Sequence, residues 1–236
     1  MYYLLELKEI NNAEFKNVLG NSIRVKNIVA IAPRLTLFPN VLDNITRYNN
    51  QVTVNGVAYT IPAAYYTQQT FITAFNTYVA GVTIGVNLDL NNPRMYLNGA
   101  AGFIVTFKDS EMYEVLGATG DPITMIGAAL YMPYPPNMVV QGNLVNLTCA
   151  ELGTNQHIDR IGRTHSVLET VSLALTPRAQ YAQVQRDTPD HSIIYFDEPL
   201  EISRVNFFVL DGRFRPIDIP ANYNVWIQCR VWSVDK

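Results

Sequence analysis

Tyr223-Asn224-Val225-Trp226-Ile227-Gln228-Cys229-Arg230-Val231-Trp232-Ser233-Val234 is the stretch that decides the fold class. Side chains alternate across a β-strand with a period of two. That period places Val225, Ile227, Cys229 and Val231 on one face and Trp226, Gln228, Arg230 and Trp232 on the other. The aliphatic face belongs in a core. The opposite face sets two indoles around a guanidinium and an amide, a combination that suits contact with another protein. The chain's own loops are the alternative cover for it.

Upstream, runs of strand-forming residues recur at 139–149, 167–175, 180–186, 192–197, 200–210 and 214–219, separated by turn residues. This spacing predicts a sandwich or barrel. Asp211-Gly212 predicts a tight hairpin. One more strand, or a bent pair, is expected over 23–38, with a break at Pro33. The count is then eight strands, with a long detour after the first. That pattern predicts a mainly β fold, an eight-stranded antiparallel jelly-roll sandwich with a small inserted α+β lobe.

The detour spans 43–122. Within it, Gln51-Val52-Thr53-Val54 and Val57-Ala58-Tyr59-Thr60-Ile61 flank Asn55-Gly56, the pair that specifies a type I′ hairpin. Thr67 is placed to cap a helix over 68–79, where Phe71, Ala74, Phe75, Tyr78 and Val79 form one apolar stripe and Gly81 supplies the stop. Short strands are expected over Val82–Leu90, Arg94–Leu97 and Phe103–Lys108, then a short helix after Ser110 that closes at Gly117. Met132-Pro133-Tyr134-Pro135-Pro136-Asn137 reads as a stiff extended connector near the boundary. The jelly-roll domain is assigned 21–42 and 123–236. Residues 1–20 lack a period and are expected to be an N-terminal arm, docked on a neighbour or on its own domain.

Only 16% of the 236 residues are charged and 48% are hydrophobic, against roughly 25% charged in an average soluble domain. Charge-poor surfaces suit interfaces, whose centres are depleted in charge and enriched in aromatics. The net charge is −3, the pI is 5.6 and no Lys/Arg cluster occurs, which argues against nucleic-acid binding. Cys149 and Cys229 sit in apolar stretches and are expected to be buried free thiols, made in a reducing compartment. Asn44-Ile45-Thr46 and Asn146-Leu147-Thr148 are then chance matches to the glycosylation pattern. No apolar run approaches the length of a membrane span, and Met1–Lys8 is too short and too acidic for a signal peptide.

Motifs that carry chemistry are missing. His157, His165 and His191 have no metal-ligand spacing. His157-Ile158-Asp159, and His191 beside Asp187 and Asp190, read as polar surface. Nucleophile-elbow, phosphate-loop and dinucleotide fingerprints are absent, and Gly117-Ala118-Thr119-Gly120-Asp121 has no strand–turn–helix context. Carboxylate pairs such as Asp197/Glu198 with Glu201, or Asp187, Asp190 and Asp218, are of a kind any β protein offers. The sequence therefore predicts no catalytic residue, no metal, no cofactor and no small-molecule substrate.

Two stretches carry a resemblance. Tyr59-Thr60-Ile61-Pro62-Ala63-Ala64-Tyr65-Tyr66-Thr67 precedes the helix with Phe71, Phe75 and Asn76, and Phe103–Ser110 leads to Val115-Leu116-Gly117. This combination resembles the penton and minor capsid proteins of double-stranded DNA viruses with jelly-roll capsids, including virophages, polinton-like elements and giant-virus relatives. Leu200-Glu201-Ile202-Ser203-Arg204-Val205-Asn206-Phe207-Phe208-Val209-Leu210-Asp211-Gly212-Arg213 is similar to their closing hairpin. The sequence departs from the pattern where Asp211 adjoins Gly212 directly and where Ala63-Ala64 follows Pro62.

The resemblance implies a structural subunit of an icosahedral shell, a penton forming homopentamers at the fivefold vertices. It implies a minor capsid or cement protein as the near variant. Partners would be copies of itself and neighbouring major capsid proteins, with synthesis in the host cytoplasm and residence in the virion. The inserted lobe would point outward and the N-terminal segment inward or toward other capsomers. Trp226, Arg230, Trp232, Tyr65 and Tyr66 are the candidate interface residues. A receptor- or carbohydrate-binding β-sandwich is the rival class, with Tyr65, Tyr66 and Trp232 available to stack on sugars.

Overall fold

In the computed structural model, the described residues are 2–10, 14–18, 25–87, 93–107, 110–119, 122–125, 127–138, 143–152, 156–158, 162–186, 193–202, 204–217, 219–220 and 222–234. The chain divides into two compact units: 1–42 with 141–236, and 43–140.

The first unit is built on the alternating strand near the C-terminal end of the sequence. Strand β17 (Asn224–Ser233) pairs antiparallel with β1 (Tyr2–Ile10) on one side and β3 (Val25–Pro39) on the other. The far side of β3 pairs with β15 (Ile194–Ile202) over its first half and with β14 (Tyr181–Gln185) over its second. A second sheet runs β12 (Gln156–Ile158), β13 (Thr164–Ser172), β11 (Leu144–Cys149), β16 (Arg204–Asp211), β2 (Glu14–Val18). All pairings are antiparallel, and neither sheet closes on itself among the described residues.

Each sheet has one apolar face. Val225, Ile227, Cys229 and Val231 are buried with Ile28, Ile31 and Phe38 in the first sheet. Val145, Leu147, Phe207, Val209 and Val171 are buried in the second. Burying one such aliphatic side chain contributes about 1.5–3 kcal/mol. A polar link also ties the sheets. Arg186, directly after β14, donates from Nε and Nη2 to Glu169 Oε2 and Oε1 on β13 at 3.1 and 2.9 Å. Glu169 Oε1 also accepts the Thr170 N–H, so the buried carboxylate is satisfied. The arrangement fits a β-sandwich.

Three expectations need correcting. Residues 2–10 and 14–18 are strands at one edge of each sheet rather than an arm. Backbone pairing decides this, since Tyr2–Ile10 runs in continuous register with Trp232–Asn224. Among the described residues of 214–219 no strand forms, and Pro216 makes an isolated bridge to Leu210. The Asp211 side chain diverts the backbone there: Oδ1 accepts the Arg213 and Arg215 N–H groups at 2.8 and 2.9 Å. The positive φ of that turn falls on Phe214, at 60°, not on Gly212. Finally, β3 does not break at Pro33. Proline offers no N–H for a ladder, and Pro33 sits where the partner strand changes from β14 at Leu35 to β15 at Ile31.

The second unit holds two small sheets and two helices. β4 (Gln51–Val54) and β5 (Val57–Thr60) form the Asn55-Gly56 hairpin, with φ of 49° and 83° at the turn. β8 (Ile104–Thr106) and β9 (Ile123–Thr124) extend that sheet. β6 (Val82–Asn87), β7 (Arg94–Gly99) and β10 (Ala129–Tyr131) form the other. Thr67 caps α1 (Gln68–Tyr78), accepting the Thr70 N–H at 3.3 Å, and Phe71 and Phe75 bury its stripe. The short helix α2 (Met112–Leu116) closes at Gly117, whose φ is 77°. A Cβ there would run into the Tyr134 carbonyl oxygen, so Gly117 packs helix against connector. Residues 123–140, assigned above to the sandwich, belong to this unit because β9 and β10 complete its sheets.

Arg186→Ala leaves the buried Glu169 carboxylate without its partner. Breaking a fully buried pair costs about 3–5 kcal/mol. The Arg186 side chain is 38% exposed, so chemical denaturation is expected to show a smaller loss, about 2–3 kcal/mol.

Candidate assembly surface

The outward face of the first sheet follows from its register. Trp226 stands opposite Leu37, Gln228 opposite Leu35, Arg230 opposite Ala32, and Trp232 opposite Ala30. The next strand adds Gln183 beside Leu37 and Gln185 beside Leu35. Further along, Tyr195 stands beside Ala30. Trp232, Ala30 and Tyr195 thus form one row across three strands, and Trp226, Leu37 and Gln183 form another. Ala30 and Ala32 are buried although they face outward, because small side chains lie between large ones. Trp226 is 36% exposed and Tyr195 68%. On the other edge, β1 sets Lys8 opposite Trp226 and Leu4 opposite Arg230.

The structure therefore brings Trp226, Arg230 and Trp232 onto one face, as strand alternation requires. Tyr65 and Tyr66 belong to the second unit. Tyr65 is 44% exposed. Tyr66 is held within its own unit: its N–H donates to Asn44 Oδ1 at 2.8 Å, its hydroxyl donates to the Pro62 carbonyl at 2.9 Å, and its ring meets Phe71 edge-on. Burial, Tyr78 and Asp43 push its phenol above the ordinary range. Sequence reasoning missed Tyr195, Leu35 and Leu37. Alternation with the buried Ile194 was the signal for Tyr195. The two leucines needed the register of β3 beyond its bulge.

The reactive groups are accounted for elsewhere. Both thiols are free and buried. Burial, with Glu151 accepting its S–H, pushes Cys149 up to about 12. Cys229 is raised first by burial, then by Cys149 and Glu169. Neither is a ready nucleophile near neutrality, where the thiolate is the reactive form. Asn44 and Asn146 are buried and their amides donate to backbone carbonyls of Tyr66, Met138 and Asp211. Gly117 of the Gly-bearing stretch is a helix cap. Asp197, Glu198 and Glu201 are exposed on β15. His165 stacks on Phe214 with ring centroids 4.7 Å apart. Asp159, Asp187, Asp190, His191 and Asp218 lie outside the described residues. Among the described residues no group of three or more His, Cys, Asp or Glu is placed to hold a metal, and no helix is long and apolar enough to cross a membrane.

No protein-family model matches the chain, and no curated protein matches it by sequence. Solved structures do match. A chain in the cryo-electron-microscopy structure of the Sputnik virophage matches 98% of this chain over 98% of its own length, at 12% identity and a TM-score of 0.52. The penton protein of mavirus, known from a crystal structure, matches 99% of this chain over 100% of its own, at 10% identity and a TM-score of 0.49. The Sputnik match shows a shared fold.

The raised thiols carry a direct test. A thiol-exchange reagent at pH 8 is expected to label neither Cys149 nor Cys229 in the folded chain and both in denaturant. Because folding favours the protonated thiols, their contribution to stability is fully present below the ordinary thiol value of 9.0 and is lost as pH rises from there through the raised folded-state value, about 12 for Cys149.

Proposed function

We propose that this chain is a structural subunit of an icosahedral double-stranded DNA virus capsid, the penton, which forms homopentamers at the fivefold vertices. The observation that carries the proposal is the strand order together with the fold shared with a Sputnik virophage chain over nearly the full length of both. With β14 and β15 counted as one position, the sheets read first-eighth-third-sixth and second-seventh-fourth-fifth, an order that supports the winding of an eight-stranded jelly roll. The strand β12 is an addition at one edge, and the second unit interrupts the chain between the third and fourth strands.

The mechanism is geometric and involves no catalytic group. A ring of five uses a head-to-tail interface, so two different surfaces of one subunit must complement each other. The outward face with Trp226, Arg230, Trp232 and Tyr195 supplies one such surface: aromatic anchors around a guanidinium. Neighbouring major capsid proteins are the other partners, and the virion, after synthesis in the host cytoplasm, is the location.

Negative-stain electron microscopy of the purified protein is expected to show five-membered rings. Combined Trp226→Ala and Trp232→Ala substitution should leave the circular dichroism unchanged and remove the rings. Single particles without rings for the unmodified chain would favour a minor capsid or cement protein. Rings that survive the double substitution would move the interface away from this face.

A further inference from the structure

The outward face of the three-stranded sheet in the second unit carries a pair of tyrosines outside the proposed assembly face. Met95, Leu97, Val82 and Ile84 are buried beneath it. The outward positions are Thr83, Gly85 and Asn87 on β6, Arg94, Tyr96 and Asn98 on β7, and Ala129 and Tyr131 on β10. Gly85, Tyr96 and Tyr131 stand side by side in one row across the three strands. A Cβ on Gly85 would run into the Tyr96 ring, so that phenol lies down over the glycine backbone. The Tyr131 ring is beside it, with centroids 5.5 Å apart and a tilt of 54°. Tyr131 is 55% exposed.

We propose that this face is a carbohydrate-binding platform, in which Tyr96, lying over Gly85, stacks on the C–H face of a sugar, Tyr131, tilted beside it, packs along the sugar's side, and Asn98 and Thr83 hydrogen-bond its hydroxyls. Tyr96 over Gly85 by itself is explained by stability, since an aromatic neighbour compensates an edge glycine. Tyr131 adds a cross-strand aromatic pair to the sheet, yet more than half of its surface stays exposed, so its ring is open to a ligand. The size of the face decides against a protein partner. Three strands span about 10 Å and six residues about 20 Å, so the face offers about 200 Å². A stable protein interface takes about 800 Å² from each partner. The face also lacks the large aliphatic residues of an interface core. Its charge fits a sugar as well: no carboxylate stands at its described outward positions, and one guanidinium, Arg94, ends it. That balance favours neutral or acidic saccharides and disfavours cationic ligands. This inference does not rest on the capsid reading.

The test is binding of the full-length protein to an array of neutral and sialylated oligosaccharides. At least one of these two groups is expected to bind. Tyr131→Ala should weaken that binding at least tenfold with unchanged circular dichroism, and Tyr131→Trp should retain it. Binding to neither group, or binding that Tyr131→Ala leaves unaltered, would overturn the proposal. Loss of five-membered rings on Tyr131→Ala would also overturn it, by making the platform a subunit contact. Sugar binding by a chain that forms no rings would count against the capsid reading alone.

Discussion

Strand β17 needs two kinds of cover at once. Val225, Ile227, Cys229 and Val231 must face a second apolar sheet, because a strand with one oily side has no stable state in water alone. The backbone of β17 needs partners on both edges, because unpaired strand edges in a soluble protein invite aggregation. The second sheet, with Val145, Leu147 and Val209, meets the first need, and β1 and β3 meet the second. With β17 in the first sheet, β16 lies in the second, and the first two strands divide in the same way, β1 beside β17 and β2 beside β16. The fold of the first unit is largely a consequence of this one strand.

Polar groups inside the sandwich reinforce that arrangement rather than create it. Glu169 sits in the second sheet and its partner Arg186 follows the edge strand of the first. A buried carboxylate with two guanidinium bonds and one backbone N–H tolerates few other registers, whereas aliphatic packing alone tolerates more. Asp211 acts likewise at the end of β16, where its two oxygens gather Arg213 and Arg215 and stop the chain from making another strand.

Much of this was legible in the residues. Alternation gave β17 and the face shared by Trp226, Arg230 and Trp232. Asn55-Gly56, Thr67 and Gly117 specified a hairpin, a cap and a stop because each does so through local geometry. What was not legible depended on distant partners. Tyr2–Ile10 shows no clean period, and only pairing with β17 makes it a strand. Pro33 reads as a break unless the change of partner from β14 to β15 is known. The run at 214–219 looks like a strand until the Asp211 carboxylate is seen to claim the Arg215 N–H within it and the Arg213 N–H just before it. Tyr195, Gly85 and Tyr131 acquire meaning only from their cross-strand neighbours.

A chain with little charge, two sheets packed by their apolar faces and an aromatic outward face has a surface suited to contact with other proteins. Its surface is suited to being covered, and its thiols and buried carboxylate are committed to internal contacts. Native mass spectrometry of the intact protein tests this account most directly. The account predicts a dominant species at five times the 26.6 kDa protomer mass. A strict monomer persisting at high protein concentration would contradict it.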